Sequence, residues 1–517
     1  MHQLSRMSGI LLHPTSLPSP HGIGDLGLEA RRFIDFLVDS GQHLWQLLPL
    51  THTGFGDSPY QSFSAFAGQP LLISPDHLKE LGLITDELLA DAPSGDLEHV
   101  DYSAVIPWKY RLLKSAYEQF LTQPSDALFQ DFQKFCEEEA FWLNDYALYM
   151  SVKDANDGRI WLDWPEQFRS PSEEFKTQLT QTYAKEIGYY QFLQFLFFTE
   201  WKDLKTYANE RGIRIIGDIP LFVSMDSADV WANKHLFQLD TTGYPLAVAG
   251  VPPDYFSATG QLWGNPLYNW EVHQADGFSW WIKRIQNQLK ILDTLRIDHF
   301  RGFEAYWSVP YGEETAINGH WVKAPGMELF TAVKQALGED LPIIAEDLGV
   351  ITDEVNALRE HFHFPGMKVL QFAFDSTGEG DFLPHRFKSP NCICYTGTHD
   401  NDTTRGWFSS LREECRNKVL AYTCTKEPEN LSFGLIRTCM ASIASYSIFP
   451  LQDVLNLGSD ARMNFPGKAS GNWNWRFKNG ALTDALAKEL KELGYDEVNL
   501  NLGCPSRTVV AKQKGSG

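Results

Sequence analysis

Apolar residues along this chain gather in short runs that stop abruptly at polar, glycine or proline positions. Strands buried on both faces of a parallel sheet read this way, as near-continuous apolar stretches rather than alternations. Eight such runs stand out: 9–13 (GILLH), 44–50 (LWQLLPL), 213–219 (IRIIGDI), 295–300 (LRIDHF), 342–347 (PIIAED), 367–374 (MKVLQFAF), 392–398 (CICYTGT) and 447–452 (SIFPLQ). Amphipathic helical patterns lie beside several of them, at 28–40, 278–292, 328–337, 353–361 and 482–493. Strand and helix alternating eight times predict an α/β fold, a (β/α)8 TIM barrel. The eighth run is the weakest strand, because Pro450 interrupts it.

The spacing of the runs is uneven. The fifth, sixth and seventh follow one another at intervals of about 25 residues, whereas about 160 separate the second from the third and about 75 the third from the fourth. Both long stretches are expected to hang from the C-terminal face, where barrel active sites are built. The first, 55–212, carries helical patterns at 108–121, 128–150 and 189–211 and reads as an inserted subdomain. The second, 221–292, contains GVPPDYFSATGQLWGNPLYNW, whose Pro, Gly and aromatic content predicts an ordered active-site loop over 250–270. With no repeat or flexible linker in view, 1–517 is expected to form one catalytic domain.

Four of the strands finish on a carboxylate: Asp218 in RIIGDIP, Asp298 in LRIDHFRGF, Glu346 in IIAEDLG and Asp400 in CYTGTHDND. One acid at a buried strand end is usually the partner of a nearby Arg, because an unpaired charge there is expensive. Four at one face of one barrel are harder to explain so. Converging carboxylates without metal-ligand spacing suit glycoside cleavage, in which a retaining enzyme needs a nucleophile and a proton donor roughly 5–5.5 Å apart. Asp298 is the better nucleophile, since Arg296 two residues earlier shares its side of the strand. Glu346 reaches further and follows the apolar IIA, where desolvation would keep it protonated as an acid. Asp400, beside His399, would hold sugar hydroxyls. A metal site is the rival for this His/Asp cluster, but no HExxH or similar spacing supports it.

Composition narrows the partners. A 43% hydrophobic and 21% charged chain is that of an ordinary folded enzyme. Aromatics reach 13%, with 16 Trp; most fill the core, and some surplus suits stacking on pyranose faces. The net charge of −22 and pI near 5.1 argue against nucleic acid and anionic membranes but not against an uncharged polymer. Cys136, Cys392, Cys394, Cys415, Cys424, Cys439 and Cys504 are scattered without CxxC or Cys/His ligand spacing, which points to a reducing compartment. Cys392 and Cys394 read as buried strand rather than a redox pair. The N-terminal apolar stretch ends at Pro14, too short for a signal peptide, and no run spans a membrane. A cytoplasmic protein is expected, or a plastid-stromal one if a transit peptide has been removed; the tail AKQKGSG reads as a mobile end.

The segments GILLHPTSLPSPHGIGDLG, LPLTHTGFGDSPYQSFSAFAG, RIIGDIPLFV, GVPPDYFSATGQLWGNPLYNW, RIDHFRGF, IIAEDLG, GMKVLQFAFD, YTGTHDNDT and GNWNWR, in this order over nearly the whole chain, resemble the amylomaltases and disproportionating enzymes, a branch of the α-amylase superfamily. The resemblance implies a 4-alpha-glucanotransferase working by double displacement, with Asp298 as nucleophile, Glu346 as general acid/base and Asp400 as transition-state stabiliser. It implies that Arg296, His299, His399 and Asp218 line the subsite beside the scissile bond. Ser58, Tyr60, Asp254, Gln261, Trp263, Asp375 and Asn472 match glucan-binding positions, and Tyr255 and Phe256 fall in the loop over the bound chain. The implied partners are an α-1,4-glucan donor and a glucose or maltooligosaccharide acceptor, with no metal or organic cofactor. Phe55 stands where some relatives carry Tyr at a secondary glucan contact, so a hydroxyl is missing there. No C-terminal β-sandwich of the kind amylases append is apparent.

Two other functions compete less well. GIGDLG at 22–27 satisfies the GxGxxG of dinucleotide-binding enzymes and precedes a helix. About eight loop residues with three prolines part it from its strand, and LWQLLPL lacks the acid expected to bind ribose. A non-catalytic glucan-binding protein is disfavoured by the presence of all three carboxylates. Hydrolase and transferase share their first half-reaction, so the choice of transfer rests on the resemblance alone.

Overall fold

The computed structural model describes residues 6–493 except 94, 96–97, 123–124, 254–256, 375–380 and 469, and the backbone but not the side chain of residue 55. Asp254, Tyr255, Phe256 and Asp375, together with Cys504 and the tail, lie outside the described residues.

Twelve strands form in chain order: β1 (Met7–Leu11), β2 (Leu44–Gln46), β3 (Arg214–Pro220), β4 (Ala247–Val251), β5 (Gln261–Pro266), β6 (Thr294–Asp298), β7 (Ala305–Pro310), β8 (His320–Lys323), β9 (Ile343–Ala345), β10 (Gly366–Val369), β11 (Cys392–Tyr395) and β12 (Tyr446–Pro450). The eight runs seen in the sequence are β1, β2, β3, β6, β9, β10, β11 and β12. They pair in parallel in the order β10-β11-β12-β1-β2-β3-β6-β9. The Ala345 N–H donates to the Pro365 carbonyl (2.9 Å) and joins β9 to the β10 edge. The result is a (β/α)8 barrel with large insertions, and no strand follows β12 among the described residues.

The strands are mostly apolar because helices cover the outside and side chains fill the inside. Ile215, Ile216 and Ile219 of β3, Leu295 and Ile297 of β6 and Ile343 and Ile344 of β9 are all buried. Glycine appears where two segments approach too closely for a side chain: a Cβ on Gly9 would lie 2.2 Å from the Leu44 carbonyl oxygen of the neighbouring strand. Pro450 does not break the eighth strand but ends it, paired with Leu11, where its missing N–H is no loss.

Between β2 and β3 stand the helices Tyr102–Thr122, Asp126–Glu138, Ala140–Ala155 and Ala184–Glu210. The 128–150 pattern is two helices rather than one. Glu139 leaves helical geometry (φ −103°, ψ 10°), and its carboxylate accepts from the Trp142 indole (2.7 Å). A second, antiparallel sheet with order β5-β4-β7-β8 rises beside the end of β6, beyond anything the apolar runs predict.

The GIGDLG segment is a packing device. Gly24 donates its N–H to the Thr15 carbonyl (3.1 Å), and a Cβ on it would sit 2.0 Å from the Pro14 oxygen. Asp25 turns back to accept the Gly27 N–H (2.9 Å), capping the loop rather than leaving it open to phosphate. Cys392 and Cys394 are buried strand residues of β11.

Candidate active site

The register of the barrel sets the site. In the parallel pairing of β3 with β6, Asp218 stands directly opposite Arg296. The Arg296 guanidinium, almost wholly buried, therefore donates to Asp218 through one nitrogen and to Asp298 through another (2.9 Å), while its Nε points at the Met367 sulfur (3.4 Å). A fork with separately aimed nitrogens can serve two carboxylates at once, which a point charge cannot. Both carboxylates hold the guanidinium more firmly charged than usual. Burial pushes Asp218 up to about 6 against the pull of Arg296. Its second oxygen meets no partner among the described residues. Asp298 is about a third exposed (32%), so one side of its carboxylate faces the open bowl.

Glu346 follows the end of β9, the strand paired with β6. Its carboxylate accepts the backbone N–H of His299 (2.7 Å) and of Leu348 (2.8 Å), which fixes its direction. Burial first, then the charge of Asp298, pushes its pKa up to about 8. The neighbouring acid serves the fold instead. Asp347 accepts the Met367 N–H (2.7 Å) and pairs with Arg359, stapling β9 to β10. Two adjacent carboxylates are thus sorted by geometry, one toward the bowl and one into the barrel wall.

His299 adopts a left-handed backbone (φ 53°), uncommon for a side chain of this size and a mark of local strain. The turn sets its ring edge-on to Trp263 of β5 at 4.8 Å. Burial lowers its pKa to about 4, so the imidazole is neutral at pH 7, and its Nε2 has no partner among the described residues. On the far side Tyr60 donates to Asp218 (2.9 Å) and stacks on His399 at 5.2 Å.

Asp400 is the most open of the three candidate catalytic acids (49% exposed), with His399 Nε2 at 3.4 Å. Asn464 donates to its side chain (2.6 Å) and Arg462 to its backbone oxygen (2.6 Å). Asn472 connects more remotely, accepting the N–H of Phe465 (2.9 Å) and so holding the turn that carries Asn464. Ser58 accepts the Tyr60 N–H (3.3 Å) and shapes that turn, and Gln261 accepts from the Trp263 indole (3.1 Å). Three further residues that the sequence reading does not name complete this side: Asn464, Arg462 and Trp473. Trp473 packs against both Tyr60 and His399. It lies inside the GNWNWR segment, so a signal for it is present in the chain. Asn464 and Arg462 sit in a loop with no pattern to mark them.

A barrel whose strand ends gather one acid held by arginine and a second whose pKa burial raises suits an enzyme of glycosidic-bond chemistry. Likeness to known proteins narrows the class. The family model described as 4-alpha-glucanotransferase matches residues 12–483, and the chain belongs to that family. It is 54% identical to a 4-alpha-glucanotransferase of Synechocystis sp. over 94% of this chain and 96% of the relative. It is 48% identical to one of Thermus thermophilus over 95% and 98%. Among solved structures it resembles an amylomaltase from Streptococcus agalactiae in complex with acarbose, with TM-score 0.91, 42% identity and coverage of 95% and 98%. The protein is accordingly a retaining transferase of α-1,4-glucan segments. Among the described residues no helix is long and apolar enough to cross a membrane.

Proposed function

We propose that Asp298, Glu346 and Asp400 carry the transfer, with the acceptor being the 4-hydroxyl of glucose or of a maltooligosaccharide. Glu346 gives its proton to the glycosidic oxygen while an oxygen of Asp298 attacks the anomeric carbon. The C–O bond breaks, the reducing-end segment leaves with a free 4-hydroxyl, and a glycosyl ester remains on Asp298. The acceptor hydroxyl then attacks the same carbon, returns its proton to Glu346 and releases Asp298. The observation that carries the reading is the pairing of unlike acids. Asp298 is bound by Arg296, and Glu346 is protonated to about pH 8.

Asp400, His399 and the neutral His299 would bind hydroxyls of the reacting sugar, Tyr60 would stack on it, and Arg296 and Asp218 would fix the nucleophile. Ser58, Gln261, Trp263 and Asn472 would hold the glucan beyond it, joined on the resemblance by Asp254, Tyr255, Phe256 and Asp375. The chain is read as one catalytic domain in which the 55–212 helices and the 221–292 insertion wall the bowl. Trp263 beside His299 supports that role for the second insertion, and a walled site favours sugar over water as acceptor. A compartment without oxidising chemistry, cytoplasm or plastid stroma, fits the six free cysteines among the described residues. The −22 charge disfavours nucleic acid as a partner.

Incubation with maltotriose tests the proposal. A ladder of longer oligosaccharides with glucose, at nearly constant reducing ends, is the expected result, and Asp298→Asn should abolish it. A steady rise in reducing ends, or an unchanged ladder from the Asn variant, overturns it.

A further inference from the structure

A second cleft opens between the helices Ala140–Ala155, Ala228–Ala232 and Ser279–Ile291. Neither Asp298, Glu346 nor Asp400 lines it. Its apolar side is aromatic: the buried ring of Phe66 packs against Trp142 and Trp280 and meets Phe141 edge-on at 5.5 Å. Phe141 itself is 43% exposed and lines the cleft.

Facing the rings are polar groups of mixed kind. Asp229 is buried, and one of its oxygens accepts the Ala65 N–H (2.7 Å). Asp145 is held by Lys176 (2.7 Å). Each carboxylate keeps lone pairs beyond those bonds, and Lys283, whose ammonium lies 5.7 Å from the Phe141 ring, brings donors. Three acids (Asp145, Asp229 and Asp276) against one lysine in the cleft, on a protein of charge −22, repel anions. An aromatic platform edged by acceptors and donors instead matches a neutral, polyhydroxylated ring. The apolar C–H face of a pyranose packs on phenyl and indole surfaces, while its hydroxyls donate to carboxylates and accept from ammonium.

We propose that this cleft is an auxiliary glucan-binding site, which grips a distant stretch of a long α-1,4-glucan while another stretch occupies the bowl. The proposal rests on the glucan-transferase reading for the choice of sugar. Its physical advantage is tethering: a chain held at two points presents its reactive segment at raised local concentration, an advantage a long glucan gains and a short oligosaccharide does not.

Phe141→Ala, Lys283→Ala and the ring-retaining Phe141→Trp are compared with wild type in two assays. The first is electrophoretic retardation in native gels containing amylose. The second is kcat/KM measured on maltotriose and on long amylose. The expected result is that Phe141→Ala and Lys283→Ala each lower retardation and the amylose kcat/KM by about threefold or more. Maltotriose turnover should stay at the wild-type value, and Phe141→Trp should behave as wild type. Unchanged retardation and amylose kinetics overturn the auxiliary site. A parallel fall on maltotriose also overturns it, since that is damage to the fold or the bowl. Failure of the transferase reading would show separately, as wild-type maltotriose giving hydrolysis instead of a ladder.

Discussion

Replacing Glu346 by Gln should remove activity and, at alkaline pH, stabilise the fold. In the folded protein this carboxyl holds its proton up to about 8, against an ordinary 4.5. For a group whose folded pKa is raised, the stabilisation from the neutral form is complete below the unfolded value and is lost as pH climbs through the folded one. The window is therefore pH 4.5 to 8. Within it wild type loses up to roughly 1.4 kcal/mol per pH unit relative to a variant that does not titrate. Against this stands one hydrogen bond. Glu346 accepts N–H groups from both His299 and Leu348, and an amide has a single oxygen, so one donor loses its partner at about 1 kcal/mol. The variant should be slightly less stable than wild type at pH 5 and more stable by roughly 3–4 kcal/mol at pH 8. In a chain of this length a kilocalorie moves Tm by about 1 °C. Scanning calorimetry at pH 5, 6, 7 and 8 should then show the Tm difference, variant minus wild type, climbing by about a degree per pH unit. A difference that stays flat, or falls, refutes the claim that this acid is held neutral. Turnover of maltotriose should drop by about 10²- to 10⁴-fold in the same variant.

Wild-type kcat/KM should decline above about pH 8 as Glu346 loses its proton, a limb to be read from a pH profile on maltotriose. Arg296→Lys should reduce kcat by about a hundredfold and destabilise by about 3 kcal/mol in urea melts, because an ammonium cannot reach Asp218, Asp298 and Met367 separately. Tyr60→Phe keeps the ring on His399 but deletes the bond to Asp218; a loss of about 1 kcal/mol with the fold intact is expected by the same melts. Gly24→Ala, whose Cβ would meet the Pro14 oxygen at 2.0 Å, should destabilise by about 2 kcal/mol or more, with no NAD(H) binding by titration calorimetry in either protein.

The barrel was legible because each of its strands is buried on both faces and must be apolar until it reaches the bowl, where a polar residue ends the run. That same rule exposed Asp218, Asp298 and Glu346, since an acid at the end of IIG, LRI or IIA has few other reasons to be there. The second sheet escaped because it obeys no such rule. β8 is exposed or half-exposed throughout (HWVK), β5 carries Gly264 and ends in Pro266, and β4 pairs with β5 through an irregular register. The break at Glu139 escaped because the apolar spacing continues on either side of it. Around Asp400, the sequence marked the acid and its histidine but not Asn464 and Arg462, which come from a loop some 60 residues later. Such support is set by chain folding, not by local pattern.

The strand order has a consequence for how the protein is made. β1, which leaves the ribosome long before β12, lies between β2 and β12, and its pairing with β12 joins Met7–Leu11 to Tyr446–Pro450. At 5–20 residues per second, roughly half a minute or more of translation passes before that partner emerges. Throughout that interval one edge of an apolar strand has no neighbour, in a chain whose closing contact spans roughly 440 residues. Nascent chains arrested before β12 should therefore be the species that chaperones hold, and a circular permutant opened between β2 and β3 would let β12 and β1 meet while both are newly made.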